Sequence, residues 1–129
     1  MTLDVQALVD DAKSRIREIS AAELSALAGG DHVLIDVREP AEFAQGHLPG
    51  AVNLPRGVLE FQIHAHPAMA CVESEALAQP QRTLVLYCLG GGRSALAADS
   101  LQKLGFTAVH SLAGGFNAWR NAGHPVTTA

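Results

Sequence analysis

Cysteine and aromatic residues are scarce: the 129-residue chain has two Cys, one Trp, one Tyr and four Phe. Cys71 and Cys88 provide no disulfide framework and no Cys-x-x-Cys pair for zinc or dithiol redox chemistry, so a reducing compartment is expected. Charge is sparse as well. Charged residues make up 17% of the chain, 9 basic against 13 acidic, for a formal charge of −4. That balance excludes the broad cationic face used by nucleic-acid binders, yet permits a small local anion site. The opening Met1-Thr2-Leu3-Asp4-Val5 lacks the basic region and unbroken apolar run of an export signal or membrane span. A cytoplasmic protein with no nucleic-acid or membrane partner is the expectation.

Core material is plentiful. With 48% apolar residues the chain has enough for one packed domain, since ordinary domains run to roughly 100–150 residues. From Leu3 to about Ile19, apolar Val5, Val9, Ala12, Ile16 and Ile19 fall at helical spacing, which predicts an amphipathic helix covering the core. Ser20 to Glu23 forms a capping-box pattern for a second short helix closed by Gly29-Gly30. His32 to Val37 is an apolar, β-branched run of the kind buried on both faces of a parallel sheet. A helix over Ala41 to Gln45 behind Pro40, a strand over Ala51 to Leu54 and a helix over Gly57 to Ile63 follow. The stretch from His64 to Gln81 has no readable pattern. Then come a strong strand at Thr83 to Tyr87, a helix from Ala95 to Leu104, a strand from Ala108 to Leu112 and a helix from Phe116 to Asn121. Strands alternating with helices predict an α/β fold, a parallel sheet covered on both faces.

Ligands of open α/β sheets sit at the carboxyl ends of strands, where following helices point their positive ends. Cys88 occupies such an end, followed by Leu89, Gly90, Gly91, Gly92, Arg93 and Ser94. Three glycines let successive N–H groups turn inward around the sulfur, favouring the nucleophilic thiolate. Arg93, a cation in a helix's first turn, opposes the dipole unless an anion binds nearby and therefore reads as an anion clamp. Ser94 reads chiefly as a helix cap, with a hydrogen bond to sulfur as the alternative. A nucleotide P-loop is rejected because Tyr87 stands where its first glycine belongs and Arg93 where its lysine belongs. A dinucleotide fingerprint fails for want of an acid near His110.

The chain resembles the rhodanese domains from about Ile19 to Val126, which leaves residues 1–18 as an amphipathic helical extension of a domain spanning 19–129. The resemblance rests on Leu34-Ile35-Asp36-Val37-Arg38, on the run from Glu42 through His47 to Pro55, on Cys88 to Ser94, and on Leu112-Ala113-Gly114-Gly115-Phe116-Asn117-Ala118-Trp119. It implies a five-stranded parallel sheet and transfer of sulfane sulfur through a persulfide on Cys88, from a small donor such as thiosulfate to cyanide, a thiol or a protein acceptor. No metal or organic cofactor is implied. Leu89 to Ser94 would hold the persulfide, while Asp36, Arg38 and Glu42 look like a structural ion network. His47 reads as a hydrogen-bonded turn histidine rather than a proton shuttle. Arg56 reads equally as a guide at the pocket mouth or a solvated arginine, Trp119 as core, His64 and His66 as exposed or capping residues, and Cys71 as a structural or incidental thiol. Two other functions remain open at this level. One is a cysteine phosphatase, whose loop between cysteine and arginine is one residue longer than the Leu89-Gly90-Gly91-Gly92 spacer; the other is a sulfur-relay or interaction module.

Overall fold

The computed structural model describes residues 4–63 and 83–129. Cys71, His64 and His66 lie outside them. Five parallel strands, β1 (Arg17–Ile19), β2 (Val33–Asp36), β3 (Val52–Asn53), β4 (Leu84–Tyr87) and β5 (Val109–Leu112), form one sheet in the order β1-β5-β4-β2-β3. β4 is thus central, and all four of its residues are buried, which accounts for its uninterrupted apolar sequence. The described helices are α1 (Val5–Lys13), α2 (Ala21–Ala26), α3 (Pro40–Gln45), α4 (Leu59–Gln62), α5 (Gly92–Lys103) and α6 (Gly115–Asn121).

The period-two alternation of β4 sorts the core into two halves. Leu84, Leu86 and Cys88 pack with Ile35, Leu59, Ala97 and Leu101, whereas Val85 and Tyr87 pack with Leu24, Leu112, Phe116 and Trp119. Accordingly α4 and α5 cover one face of the sheet and α2 and α6 the other. Helix α1 lies on α5, with Val9 and Ala12 buried and Arg15 clamping Asp99 of α5 through Nε and Nη2 at 3.0 and 2.8 Å.

The first predicted helix needs correction. It starts behind Asp4, whose carboxylate accepts the Ala7 N–H at 2.8 Å, but stops at Lys13 instead of running to Ile19. Residues 17–19 are the edge strand β1, paired with His110–Leu112. Arg17 and Glu18 are exposed there and only Ile19 is buried; on a short edge strand such charges are favourable and discourage further pairing, while in the sequence they read as the polar face of a helix. α5 also begins earlier than Ala95, since the helix already includes Gly92, Arg93 and Ser94. The capping box of α2 is as expected, Ser20 Oγ accepting from Glu23 N at 3.1 Å and Glu23 Oε1 from Ser20 N at 2.9 Å.

At the carboxyl end of β2 an ion pair is sealed from water. Asp36 and Arg38 are 0% and 3% exposed, and Arg38 Nη2 lies 2.7 Å from Asp36 Oδ2. The same Nη2 donates to the Gly46 carbonyl at 2.7 Å, and the guanidinium lies 4.4 Å from the Phe116 ring centroid and 5.6 Å from that of Tyr87. Burial, with the Asp36 charge adding to it, pushes the Tyr87 phenol far up, so its oxygen remains neutral and accepts the Leu48 N–H at 3.1 Å. Arg38→Met would strand a buried carboxylate and is expected to cost about 3–5 kcal/mol of stability in urea unfolding. A loss below about 1 kcal/mol, the range of exposed pairs, would show that water reaches Asp36.

Candidate active site

Cys88 leaves the central strand where β4 ends and α5 begins, and it is 1% exposed. Its Sγ accepts the backbone N–H of Gly91 at 3.1 Å and that of Ser94 at 3.4 Å. Two amides of a helix's opening turn therefore converge on one sulfur and favour negative charge there. Of the three glycines expected to let the backbone curl, Gly91 has φ +107°, whereas Gly90 and Gly92 do not adopt positive φ. A single left-handed residue suffices to turn the chain.

Ser94 is not the helix cap. That position is held by Gly91, and the Ser94 hydroxyl is buried within the first turn. It donates to the Gly91 carbonyl at 3.3 Å, lies 2.8 Å from Ser111 Oγ on β5, and accepts from the Cys88 thiol at 3.6 Å. The alternative reading of Ser94, contact with the sulfur, is what the geometry gives. Ser111, fully buried, escaped the sequence reading because a lone serine in a strand carries no local signal.

The start of α6 supports the loop from below. Phe116 N–H donates to the Cys88 carbonyl at 2.8 Å and Asn117 N–H to that of Leu89 at 3.0 Å. This approach requires Gly115, at φ +57°, because a Cβ there would lie 2.5 Å from the Cys88 carbonyl oxygen and 2.7 Å from that of Leu89. Both glycines of the Gly114-Gly115 motif were visible in the sequence, but the reason for the second lies in a contact with a distant loop.

Arg93 pairs with Glu42 of α3, with Nη1–Oε1 and Nη2–Oε2 distances of 2.8 and 3.1 Å. The Arg93 guanidinium holds the Glu42 carboxyl down at about 2, against the cost of partial burial, and Glu39 N–H fixes Oε1 at 3.0 Å. Glu42 thus has Arg93 as its direct partner, while the Arg38 charge also acts to hold its carboxyl down. His47 is buried against Phe43, its ring nitrogens 2.9 and 3.0 Å from the carbonyl oxygens of Phe43 and Ala129. Arg56 is engaged by Glu60 and by the Ser100 hydroxyl on α5, in a partly exposed ion pair. Trp119 is core, with Nε1–H donating to the Pro125 carbonyl at 2.7 Å. A groove of about 450 Å³ opens beside the loop between Leu89, Glu42 and Phe116.

A buried cysteine cradled by backbone amides at the end of the central strand of a parallel sheet defines a cysteine-centred α/β domain. The Rhodanese-like domain family matches residues 20–122, and the chain belongs to the rhodanese family. It is 38% identical to the thiosulfate sulfurtransferase 16, chloroplastic, of Arabidopsis thaliana, over 77% of this chain and 81% of that one. It is 36% identical to the human thiosulfate:glutathione sulfurtransferase, over 78% and 90%. A solved Rhodopseudomonas palustris protein of unknown function, a possible tyrosine phosphatase, superposes with a TM-score of 0.83 at 37% identity, covering 98% of this chain and 96% of that one.

The two kinds of glycine in this site separate in a substitution test. Gly90 has nothing within 4 Å of an added Cβ, so Gly90→Ala should keep Cys88 alkylation by iodoacetamide within about twofold, in line with a surface substitution. Gly115→Ala forces the loop and α6 apart. It should change the alkylation rate about 100-fold or more, as a misplacement of about 1 Å does. Equal behaviour of the two variants would contradict the packing described.

Proposed function

We propose that the protein transfers sulfane sulfur from thiosulfate to a thiophilic acceptor through a persulfide on Cys88. The observation that carries this reading is the pair of amides, Gly91 N–H and Ser94 N–H, aimed at Sγ. In the first half-reaction the Cys88 thiolate attacks the outer sulfur of thiosulfate. The new S–S bond forms as the old one breaks, and sulfite leaves with the electron pair. In the second, cyanide or a thiolate takes the outer sulfur and the pair returns to Cys88 Sγ. Covalent double displacement splits one difficult transfer into two easier ones. The amides stabilise negative charge on sulfur at both ends of the cycle, and being backbone they need no reorganisation. The names of the relatives support thiosulfate as donor and a thiol such as glutathione among the acceptors.

A cysteine phosphatase is the second reading, favoured by the Rhodopseudomonas palustris relative. Two observations weigh against it. Only four residues separate Cys88 from Arg93, a ring sized for one sulfur atom, and the Arg93 guanidinium is engaged by the Glu42 carboxylate. A phosphoryl group would have to share that cation with Glu42 and fit a ring one residue shorter. Intact mass spectrometry tests the choice. Thiosulfate should add the mass of one sulfur atom to the wild type and none to Cys88→Ser, and cyanide should remove it. Cys88-dependent hydrolysis of aryl phosphates without persulfide formation would instead establish the phosphatase.

The Arg93–Glu42 pair sets the charge that an anionic donor meets. Arg93→Ala leaves Glu42 facing the anion and should raise the KM for thiosulfate. Glu42→Gln frees the guanidinium and should lower it. Each change is expected to be about two- to fivefold, the scale of a partly exposed ion pair, and steady-state kinetics at low salt would measure both. An increase in KM with Glu42→Gln would show that orientation of Arg93, not its net charge, matters to the donor.

A further inference from the structure

One hydroxyl sits in an otherwise apolar half of the core. Ser111 on β5 lies opposite Leu86 of β4 and, by the period-two alternation of a strand, on the same face as Val109, in the half built from Leu84, Leu86, Cys88, Ala97 and Leu101. It is fully buried, and a hydroxyl enclosed among apolar side chains is costly unless it is hydrogen-bonded. Ser94 Oγ, 2.8 Å away and equally sealed, supplies the bond. Ser94 is in turn the hydroxyl in contact with the Cys88 sulfur.

A serine hydroxyl has one proton to donate and two lone pairs to accept with. Ser94 has three neighbours: the Gly91 carbonyl at 3.3 Å, Ser111 Oγ at 2.8 Å and Cys88 Sγ at 3.6 Å. While Cys88 is a thiol, its S–H donates to Ser94 Oγ and the Ser94 proton goes to Gly91. Once the sulfur is charged it has no proton to give, and the arrangement must reverse. The Gly91 carbonyl can release the Ser94 proton, because it also accepts the Ala95 N–H at 3.1 Å and so keeps a partner. With the Ser94 proton turned to sulfur, two oxygens 2.8 Å apart still need a proton between them, and Ser111 donates it.

We propose that Ser111 is a positioning residue for sulfur transfer: by donating to Ser94 Oγ it aims the Ser94 hydroxyl at Cys88 Sγ whenever that sulfur carries negative charge. Its part in turnover rests on the sulfur-transfer reading above; its effect on the thiolate rests on the geometry alone. The chain from Ser111 to Ser94 to Sγ adds a third donor to the amides of Gly91 and Ser94. Hydrogen bonds to an anion are stronger than those between neutral groups, and members of a chain reinforce one another. In the second half-reaction the acceptor attacks the outer sulfur of the persulfide, the bond from that sulfur to Sγ breaks, and the electron pair returns to Sγ, where the Ser94 hydroxyl faces it. Each hydroxyl keeps its own proton. Ser111 itself touches neither the sulfur nor a substrate, so it acts only through Ser94.

The test follows the pH dependence of Cys88 alkylation by iodoacetamide in wild type, Ser111→Ala, Ser94→Ala, the double variant and Ser111→Thr, with thermal unfolding to establish that each is folded. The charged groups around the loop are common to all five: Arg93, whose charge interacts with Cys88, is paired with Glu42, and Asp36 with Arg38. Ser111→Ala should move the midpoint of the profile up by about half a pH unit, the scale of one modest hydrogen bond, and should slow discharge of the preformed persulfide by cyanide about two- to fivefold. Ser94→Ala should move the midpoint at least as far, and adding Ser111→Ala to it should move it no further, since one residue acts through the other. Ser111→Thr keeps the donor and should retain the wild-type midpoint. An unchanged midpoint in Ser111→Ala, or the same shift with and without Ser94, would overturn the assignment. Failure of the wild type to form a persulfide with thiosulfate would instead overturn the underlying function, and the alkylation profiles decide the link between Ser111 and Ser94 on their own.

Discussion

Sealed between two aromatic rings, the Arg38 guanidinium connects the end of β2, the chain after α3, the central strand and α6. Asp36 neutralises it, the Gly46 carbonyl takes one of its N–H groups, and Tyr87 and Phe116 flank it. Such a pair is not retained for raw stability, because well-packed apolar residues often do as well. What it provides is geometry. Fixed donors and acceptors tolerate only one arrangement of the elements around them, and the elements concerned are those that surround the loop after β4. Asn53 extends the same lock, since its side-chain amide donates to the carbonyls of Asp36 and Arg38 at 3.0 and 2.9 Å, tying β3 to the turn that carries the arginine.

Much of the fold was legible because burial on both faces leaves a plain mark. β2 and β4 are continuous apolar runs, and no helical pattern competes with them. β1 was not legible, since three residues at a sheet edge carry too little apolar character to override the helical spacing of Val5, Val9, Ala12 and Ile16. The site divides in the same way. Cys88, its glycines and Arg93 form a contiguous segment whose chemistry is local, and they could be read in order. The partner of Arg93 lies 51 positions away, that of Ser94 17 positions away, and the reason for Gly115 lies in the loop after β4. Long-range pairing of this kind leaves no periodic signal, and for that reason the Arg93–Glu42 contact and Ser111 could not be read from the sequence.

The electrostatics of the site follow from pairing rather than from abundance of charge. Around the sulfur, one cation is cancelled within the core and another at the rim, and the donors that face Sγ are neutral amides. Negative charge on sulfur is thus stabilised by dipoles fixed in place by the start of α5. Helix α1 has a part in this, because Val9 packs beside Gly92 and so covers the first turn of the helix that supplies the amides.

Since the amides of Gly91 and Ser94 face Sγ, the positions of Leu89 and Gly90 stand outside the cradle. Leu89 is 40% exposed, and Gly90 borders open space. Those two positions form the outward rim, and replacement there alters what can approach without altering the cradle. What reaches the sulfur can therefore be changed at two rim positions, at little cost to the packing beneath.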